Sequence, residues 1–192
     1  QAELAERSLS HYIRQAWGIL EPNAVYRHGW HVDAIAEHLE AVTAGQIQNL
    51  VINVPPGHTK SLVTCVFWPT WEWTKAPWLR WLFGSYSSHL STRDHNKRSA
   101  LVASSWYRGR WGDRFKITKD NDSEIHNNKT GFYLPTSVGG IGTGERVHRA
   151  IHDDLLNATD THSASMRKQA EEYLRSMSTR GVSPEEYRQV LI

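Results

Sequence analysis

Residues Leu50-Val51-Ile52-Asn53-Val54-Pro55-Pro56-Gly57-His58-Thr59-Lys60-Ser61 decide the fold. The apolar, largely β-branched run Leu50–Val54 predicts a buried strand over about 49–54. Pro55-Pro56-Gly57 predicts a tight turn, and Lys60-Ser61 the opening of a helix. Strand, turn and helix in that order make a phosphate cradle: the first N–H groups of a helix lack intrahelical acceptors, and the helix dipole favours an anion there. Lys60 offers charge to β- and γ-phosphates, and Ser61 offers a hydroxyl to magnesium. The general pattern GxxxxGK[ST] wants glycine at two positions occupied here by Val54 and Thr59.

Working outward, 192 residues suit one α/β domain; such a chain buries roughly 70% of its unfolded surface. Upstream, Leu9, Ile13 and Trp17 recur at helical spacing in a helix ending near Glu21-Pro22-Asn23. Val32, Ile35, Leu39 and Val42 stripe a second helix over about 31–43, with Gly45 suited to its C-terminal turn. Downstream, the helix opened by Lys60 is disturbed at Pro69, which has no N–H to donate. Trp78–Tyr86 predicts a second strand, His89–Ser105 a basic helix, and 120–137 a hairpin around Asn127–Gly131. Gly139, Gly140, Gly142 and Gly144 lead into a strand at Val147–His152. Met166, Ala170, Leu174 and Met177 stripe a further helix, and Tyr187–Ile192 begins another strand. Strands alternating with helices predict a parallel, three-layer α/β sheet.

Asp153-Asp154 closes the strand at Val147–His152, about ninety residues past Lys60. Magnesium-dependent hydrolysis of a nucleoside triphosphate needs one carboxylate for the metal and another to orient and polarise the attacking water. The same residues also fit an acidic turn. His148, His152 and Asp153 have a further reading as metal ligands, which would make a metallonuclease.

Net charge is +2, but from His89 to Lys119 eight basic residues (Arg93, Lys97, Arg98, Arg108, Arg110, Arg114, Lys116, Lys119) face two acidic ones. That segment reads either as a solvated helix and loop or as a footprint for a phosphate backbone. The single cysteine, Cys65, excludes an internal disulfide, suits a reducing compartment, and reads as a buried small side chain. No apolar run approaches the roughly 18–20 residues of a membrane span, and no signal peptide opens the chain, so an intracellular, soluble protein is expected. Of nine tryptophans, those in apolar segments (Trp68, Trp71, Trp73, Trp78, Trp81) are expected in the core. Trp106 and Trp111, flanked by Arg108 and Arg110, are candidates for stacking on single-stranded bases.

Three segments in order carry a resemblance: Asn53–Ser61; Pro135-Thr136-Ser137-Val138-Gly139-Gly140 with Gly142-Thr143-Gly144; and Asp153-Asp154. Together they resemble the ATPase domain of the large terminase subunit of tailed bacteriophages. That family carries a deviant Walker A of the form PPxHxKS and a TSxGG segment ahead of Walker B. The likeness covers about residues 25–192, and Ser104-Ser105-Trp106-Tyr107 and Ser178-Thr179-Arg180 share it.

The resemblance implies a P-loop NTPase fold of the ASCE type with a mainly parallel central sheet, ATP as substrate and Mg2+ as cofactor. Pro56, Gly57, His58, Thr59, Lys60 and Ser61 would cradle the phosphates, Ser61 and Asp153 would hold magnesium, and Asp154 would take the catalytic carboxylate position, often Glu in related motors. Many relatives carry Arg where this chain has Gly57, and an Arg-Gly pair where it has Glu145-Arg146. Arg146 is thus the candidate arginine finger, given to a neighbouring subunit in a ring, with Arg149 in reserve. The adenine would lie near Tyr26, Trp30 and His31, of which His31 is the candidate contact. Implied partners are double-stranded DNA, the portal protein and the small terminase subunit, in a homo-oligomeric ring driving DNA into a procapsid in the host cytoplasm, away from any membrane. In the family a coupling motif and a nuclease domain follow, so the chain is expected to be the motor portion without cleavage activity. Two rivals stay open: a helicase-like ATPase on nucleic acid, and a non-catalytic nucleotide- or DNA-binding module with a degenerate P-loop.

Overall fold

Successive side chains of the central strands point to opposite faces of one sheet, and each face has its own apolar cluster. The computed structural model describes residues 1–86, 88–137, 144–156 and 162–192, with 88–91 by their backbone alone. Helices α1 (Ala2–Arg7), α2 (Leu9–Leu20) and α3 (Trp30–Thr43) precede β1 (Asn49–Val51). A π-helical segment (Leu62–Phe67) runs into α4 (Trp68–Trp73), followed by β2 (Arg80–Ser85), α5 (Ser88–Ala103) and α6 (Ser105–Trp111). Strands β3 (Ile117–Asn121), β4 (Glu124–Asn127), β5 (Phe132–Ser137) and β6 (Arg149–His152) lead to α7 (Ala164–Met177) and β7 (Arg188–Leu191).

The strand order is β1-β7-β6-β2-β5-β4-β3, parallel from β1 through β5 and antiparallel at β4 and β3. The protein is α/β, with a seven-stranded, mostly parallel sheet between helical layers. Trp81, Phe83, Ile151 and Val190 face a cluster built with residues of α2, α3, the π-helical segment and α4, such as Tyr12, Leu39, Val66 and Trp71. Leu82 and Ala150 face the opposite way, onto Ala170, Tyr173 and Met177 of α7. A Cβ on Gly84 would lie 2.0 Å from the Tyr173 hydroxyl oxygen, so the close approach of α7 to β2 requires glycine there.

Buried parallel strands are normally apolar throughout, yet β6 reads Arg149-Ala150-Ile151-His152 and is wholly buried. The polar groups are matched individually. The Arg149 guanidinium pairs with Glu72 of α4, Nε to Oε2 3.0 Å and Nη2 to Oε1 3.1 Å, while Nη1 donates to the carbonyls of His148 and Glu186. Arg149 is therefore a structural tie between α4 and the sheet, and its reading as an arginine finger is set aside. His148 Nδ1 accepts the Arg80 backbone N–H at 3.1 Å, and His152 lies edge-on to Tyr173, 5.5 Å between ring centres. Four residues along a strand put these two histidines about 13 Å apart, too far to share an ion. The metal-capable grouping found among the described residues contains neither of them.

Other expectations shift. The strand before Pro55-Pro56-Gly57 is short and lies at the sheet edge, with Val51 70% exposed, because among the described strands it pairs only with β7. The first helix breaks at extended Ser8. The hairpin around Asn127–Gly131 joins β4 to β5, and a further strand, β3, pairs outside it. Trp68, Trp71, Trp73, Trp81 and Trp111 are buried. Trp106 meets Tyr12 at 5.4 Å, so these rings serve the core and not an open stacking face; Trp78 is half exposed.

The basic segment is likewise divided. Arg98 is 1% exposed, with its Cζ 3.6 Å from the centre of the Phe83 ring and Nη1 donating to the Cys65 carbonyl at 2.7 Å. That carbonyl is the one Pro69, four residues on, cannot serve. Burial pulls the Arg98 guanidinium down to about 10. Arg108 and Arg110 bond backbone carbonyls, Arg114 pairs with Glu6, and Lys119 pairs with Glu124. Among the described residues, no helix is long and apolar enough to cross a membrane.

Two stability predictions follow from β6. Arg149→Ala strands Glu72 in the core and should cost about 3–5 kcal/mol, read as a fall in the urea unfolding midpoint. Burial pulls His152 down to about 4 from its usual value near 6.5. The native state therefore resists the proton the unfolded chain accepts, and stability is full above pH 6.5 and falls as pH drops towards 4. For His152 the loss between pH 7.5 and pH 5 should be on the order of 2 kcal/mol, and a His152→Leu variant should show a flatter midpoint-versus-pH curve.

Candidate functional site

The ladder of β1 continues one residue further, where the Ile52 N–H donates to the Leu191 carbonyl at 2.8 Å; the chain then turns through Pro55-Pro56-Gly57. Gly57 (φ 82°) and Thr59 (φ 58°) are both left-handed. Glycine accepts this freely; a β-branched threonine does not, and such residues store on the order of 1–3 kcal/mol. The Thr59 carbonyl accepts the Val63 N–H at 2.9 Å, so the helix begins at Lys60. His58 is not a lining residue of the cleft described below. Its Nδ1 sits 3.1 Å from the Pro56 carbonyl oxygen, and its ring meets His31 edge-on at 5.4 Å. His31 is thus the upstream aromatic that reaches the loop. Trp30 is 82% exposed, and Tyr26 packs on Trp17 at 5.2 Å.

The carboxylates arrive from the far side of β7. The Asp153 N–H donates to the Gly84 carbonyl at 2.9 Å, and the Tyr86 N–H donates to the Asp154 carbonyl at 3.1 Å. Asp154 is left-handed (φ 46°), a conformation that aspartate tolerates, so consecutive carboxylates diverge. Asp154 Oδ1 lies 3.6 Å from Lys60 Nζ, with the aspartate side chain half exposed and the lysine largely covered. Asp153 turns inward, its Oδ2 3.8 Å from Cys65 Sγ and its Oδ1 buried without a hydrogen-bond partner. Burial pushes the Asp153 carboxyl up; the Ser61 hydroxyl and Lys60 favour its ionised form, and the charges of Asp154 and Asp94 oppose it. Burial also pushes the Cys65 thiol well above its usual range, which removes it as a nucleophile.

The loop and Asp154 frame a cleft of about 440 Å³ at the C-terminal ends of the parallel strands, within the range of roughly 300–1,000 Å³ typical of small-molecule sites; Asp153 lies behind it, outside the lining. Pro56, Gly57, Thr59, Lys60, Ser61 and Leu62 line one side, and Asp154 with Arg93, Asp94 and Lys97 of α5 line the other. Sequence reasoning placed Arg93 and Lys97 only in a general basic segment and missed Asp94. Their i, i+1, i+4 spacing marks one helix face, but nothing local says what that face meets. Lys97 Nζ is tied to Glu21 Oε1 at 2.6 Å.

Arg146 is not brought to this cleft. It precedes β6 at the N-terminal ends of the parallel strands, roughly 26 Å from Asp154 by strand rise, and its Nη1 donates to the Gly181 carbonyl at 3.0 Å. Of the glycine-rich segment, Thr136 and Ser137 end β5, while residues 138–143 lie outside the described residues. No protein-family model matches the chain, and no curated protein is significantly similar to it.

Asp153 supplies the prediction. Its raised carboxyl value means the native state holds a proton more tightly than the unfolded chain does, so stability falls as pH rises from the ordinary carboxylate value through the raised one. Asp153→Asn removes that charge and should raise the urea midpoint at pH 7.5, with a smaller gain at pH 5.

Proposed function

We propose that this chain is a magnesium-dependent ATPase and the motor domain of a viral DNA-packaging terminase. The observation that carries the hydrolase reading is the Lys60–Asp154 approach of 3.6 Å across a cleft floored by a helix N-terminus, with Ser61 beside the buried Asp153. Residues more than ninety positions apart converge as the chemistry of phosphoryl transfer asks. The strand order also supports the reading, since β7 separates the P-loop strand from the carboxylate strand and opens a crevice at their C-terminal ends. The terminase assignment rests on the resemblance of Asn53–Ser61, Pro135–Gly144 and Asp153-Asp154.

The donor set fits magnesium: Asp153 Oδ1 is a buried, unpartnered hard oxygen, and the Ser61 hydroxyl stands beside that carboxylate. Magnesium bound there would neutralise charge on the phosphates. Lys60 then holds the β- and γ-phosphates, and the loop N–H groups with Gly57 and Thr59 orient them. Asp154, exposed to the cleft, aligns a water in line with the γ-phosphorus and accepts its proton as the bond to the leaving ADP oxygen breaks. Resting contact with Asp154 keeps the Lys60 ammonium over the place a phosphate would take. His31, against His58, faces the base. Arg146 acts on this cleft only from a neighbouring copy in a ring. Double-stranded DNA, a portal protein and a small terminase subunit are the partners of such a motor.

Lys60→Ala should weaken binding of a fluorescent ATP analogue by 100-fold or more while the circular dichroism spectrum stays unchanged. Asp154→Asn should keep that binding within a few-fold and lower ATP turnover at least 100-fold. Undiminished nucleotide binding by Lys60→Ala overturns the P-loop reading. Metal-dependent DNA cutting that survives Lys60→Ala would favour a nuclease instead.

A further inference from the structure

The wall of the cleft facing the P-loop is helix α5, and two of its cations, Arg93 and Lys97, stand one turn apart on the face it presents there. They differ in how they are held. The Lys97 ammonium is committed to Glu21. Arg93 uses one donor only: its Nε gives a hydrogen bond to Asp94 Oδ1 at 2.8 Å, the one bond it makes among the described residues. Asp94 itself is buried, 6% exposed, and its carboxylate lies within 4.8 Å of the reaching atoms of Asp153 and Cys65. The guanidinium is therefore moored by one edge to a fixed carboxylate beside the carboxylate strand. Its side chain is still 47% exposed, and its two Nη groups carry the four remaining N–H donors.

A planar fork with one edge fixed and the other without a partner among the described residues is suited to bidentate capture of phosphate oxygens, which a lysine cannot reproduce. The opposite wall carries Lys60 and the loop N–H groups, so an anion entering the cleft meets positive charge from both sides. Arg149 is consumed by Glu72, and Arg146 lies at the opposite, N-terminal ends of the parallel strands. Arg93 is the arginine that shares the cleft with Lys60.

We propose that Arg93 is a phosphate-contacting catalytic residue supplied in cis, moored by Asp94, which grips the terminal phosphate of a nucleoside triphosphate bound by the same chain. This inference rests on the nucleotide-hydrolase reading of the cleft. The guanidinium is placed to take up charge on the transferring phosphoryl group; arginines in that role, in cis or in trans, contribute about 10³–10⁵ in kcat. Contact with the terminal phosphate also makes Arg93 the group that tells ATP from ADP.

The test titrates fluorescent ATP and ADP analogues, with magnesium, against the chain and its Arg93→Ala, Arg93→Lys and Lys60→Ala variants, with circular dichroism as the fold control. Arg93→Ala should weaken ATP binding at least tenfold and leave ADP binding within twofold; Arg93→Lys should recover only part of the discrimination. Mixing Arg93→Ala with Lys60→Ala subunits should restore no turnover, because each chain needs both residues in its own cleft. If Lys60→Ala abolishes nucleotide binding but Arg93→Ala keeps the ATP preference, or weakens ATP and ADP alike, the role of Arg93 falls while the P-loop reading stands. Recovery of turnover on mixing overturns the action in cis. Failure of the unsubstituted chain to bind either nucleotide, or wild-type binding by Lys60→Ala, overturns both readings.

Discussion

Two backbone hydrogen bonds at the end of β2 set the geometry on which the site depends. The Gly84 carbonyl takes the Asp153 N–H and the Tyr86 N–H reaches the Asp154 carbonyl, so the carboxylate pair is an extension of the parallel ladder and not a free loop. Pinned there, the pair can diverge only through the left-handed turn at Asp154, which sends one carboxylate to Lys60 and buries the other near Ser61 and Cys65. The fixed peptide dipoles on β2 thus supply positional precision that exposed side chains lack. Gly84 serves twice, giving its carbonyl to Asp153 and its empty Cβ position to Tyr173.

The second determinant is a defect in the helix that begins at Lys60. Pro69 cannot serve the Cys65 carbonyl, and a buried guanidinium from α5 takes its place, with Arg98 stacked on Phe83. A buried charge costs energy in that position, and burial lowers the proton affinity of the Arg98 guanidinium. The return is a rigid tie between α5 and the helix that begins at Lys60. Arg98 is buried on α5, while Arg93, Asp94 and Lys97 of the same helix line the cleft. The π-helical segment lies where this exchange of partners occurs, as helical bulges often do near functional sites.

Much of the architecture was legible because its signals are local. The stripe Val32, Ile35, Leu39, Val42 is buried on α3, Gly45 takes a positive φ after that helix, and the Asn127–Gly131 turn joins two strands. Lys60, Ser61 and Asp153-Asp154 were legible as a spaced set; the structure brings Lys60, Ser61 and Asp154 to one cleft, while Asp153 turns into the interior beside Cys65 and Asp94. The basic segment was not legible. Charge along the chain says nothing of whether an arginine will face water, a carbonyl or an aromatic ring, and Arg98, Arg108 and Arg114 each found a partner inside the protein. The polar strand β6 resisted reading for the same reason, since Glu72 is 77 residues from Arg149.

The sequence by itself determined the alternation of strands and helices, the Pro55-Pro56-Gly57 turn ahead of a lysine and serine at a helix start, and the presence of a carboxylate pair closing a later strand. These follow from periodicity, glycine and proline chemistry, and the small set of side chains that can hold a metal or move a proton. Tertiary structure alone decided that β7 lies between β1 and the carboxylate strand β6, that β1 stands at an edge, and that Arg93 rather than Arg146 shares the cleft with Lys60. The physical reason is that strand order and helix docking come from burying apolar faces and matching buried polar groups across long separations. No window of neighbouring residues contains both partners.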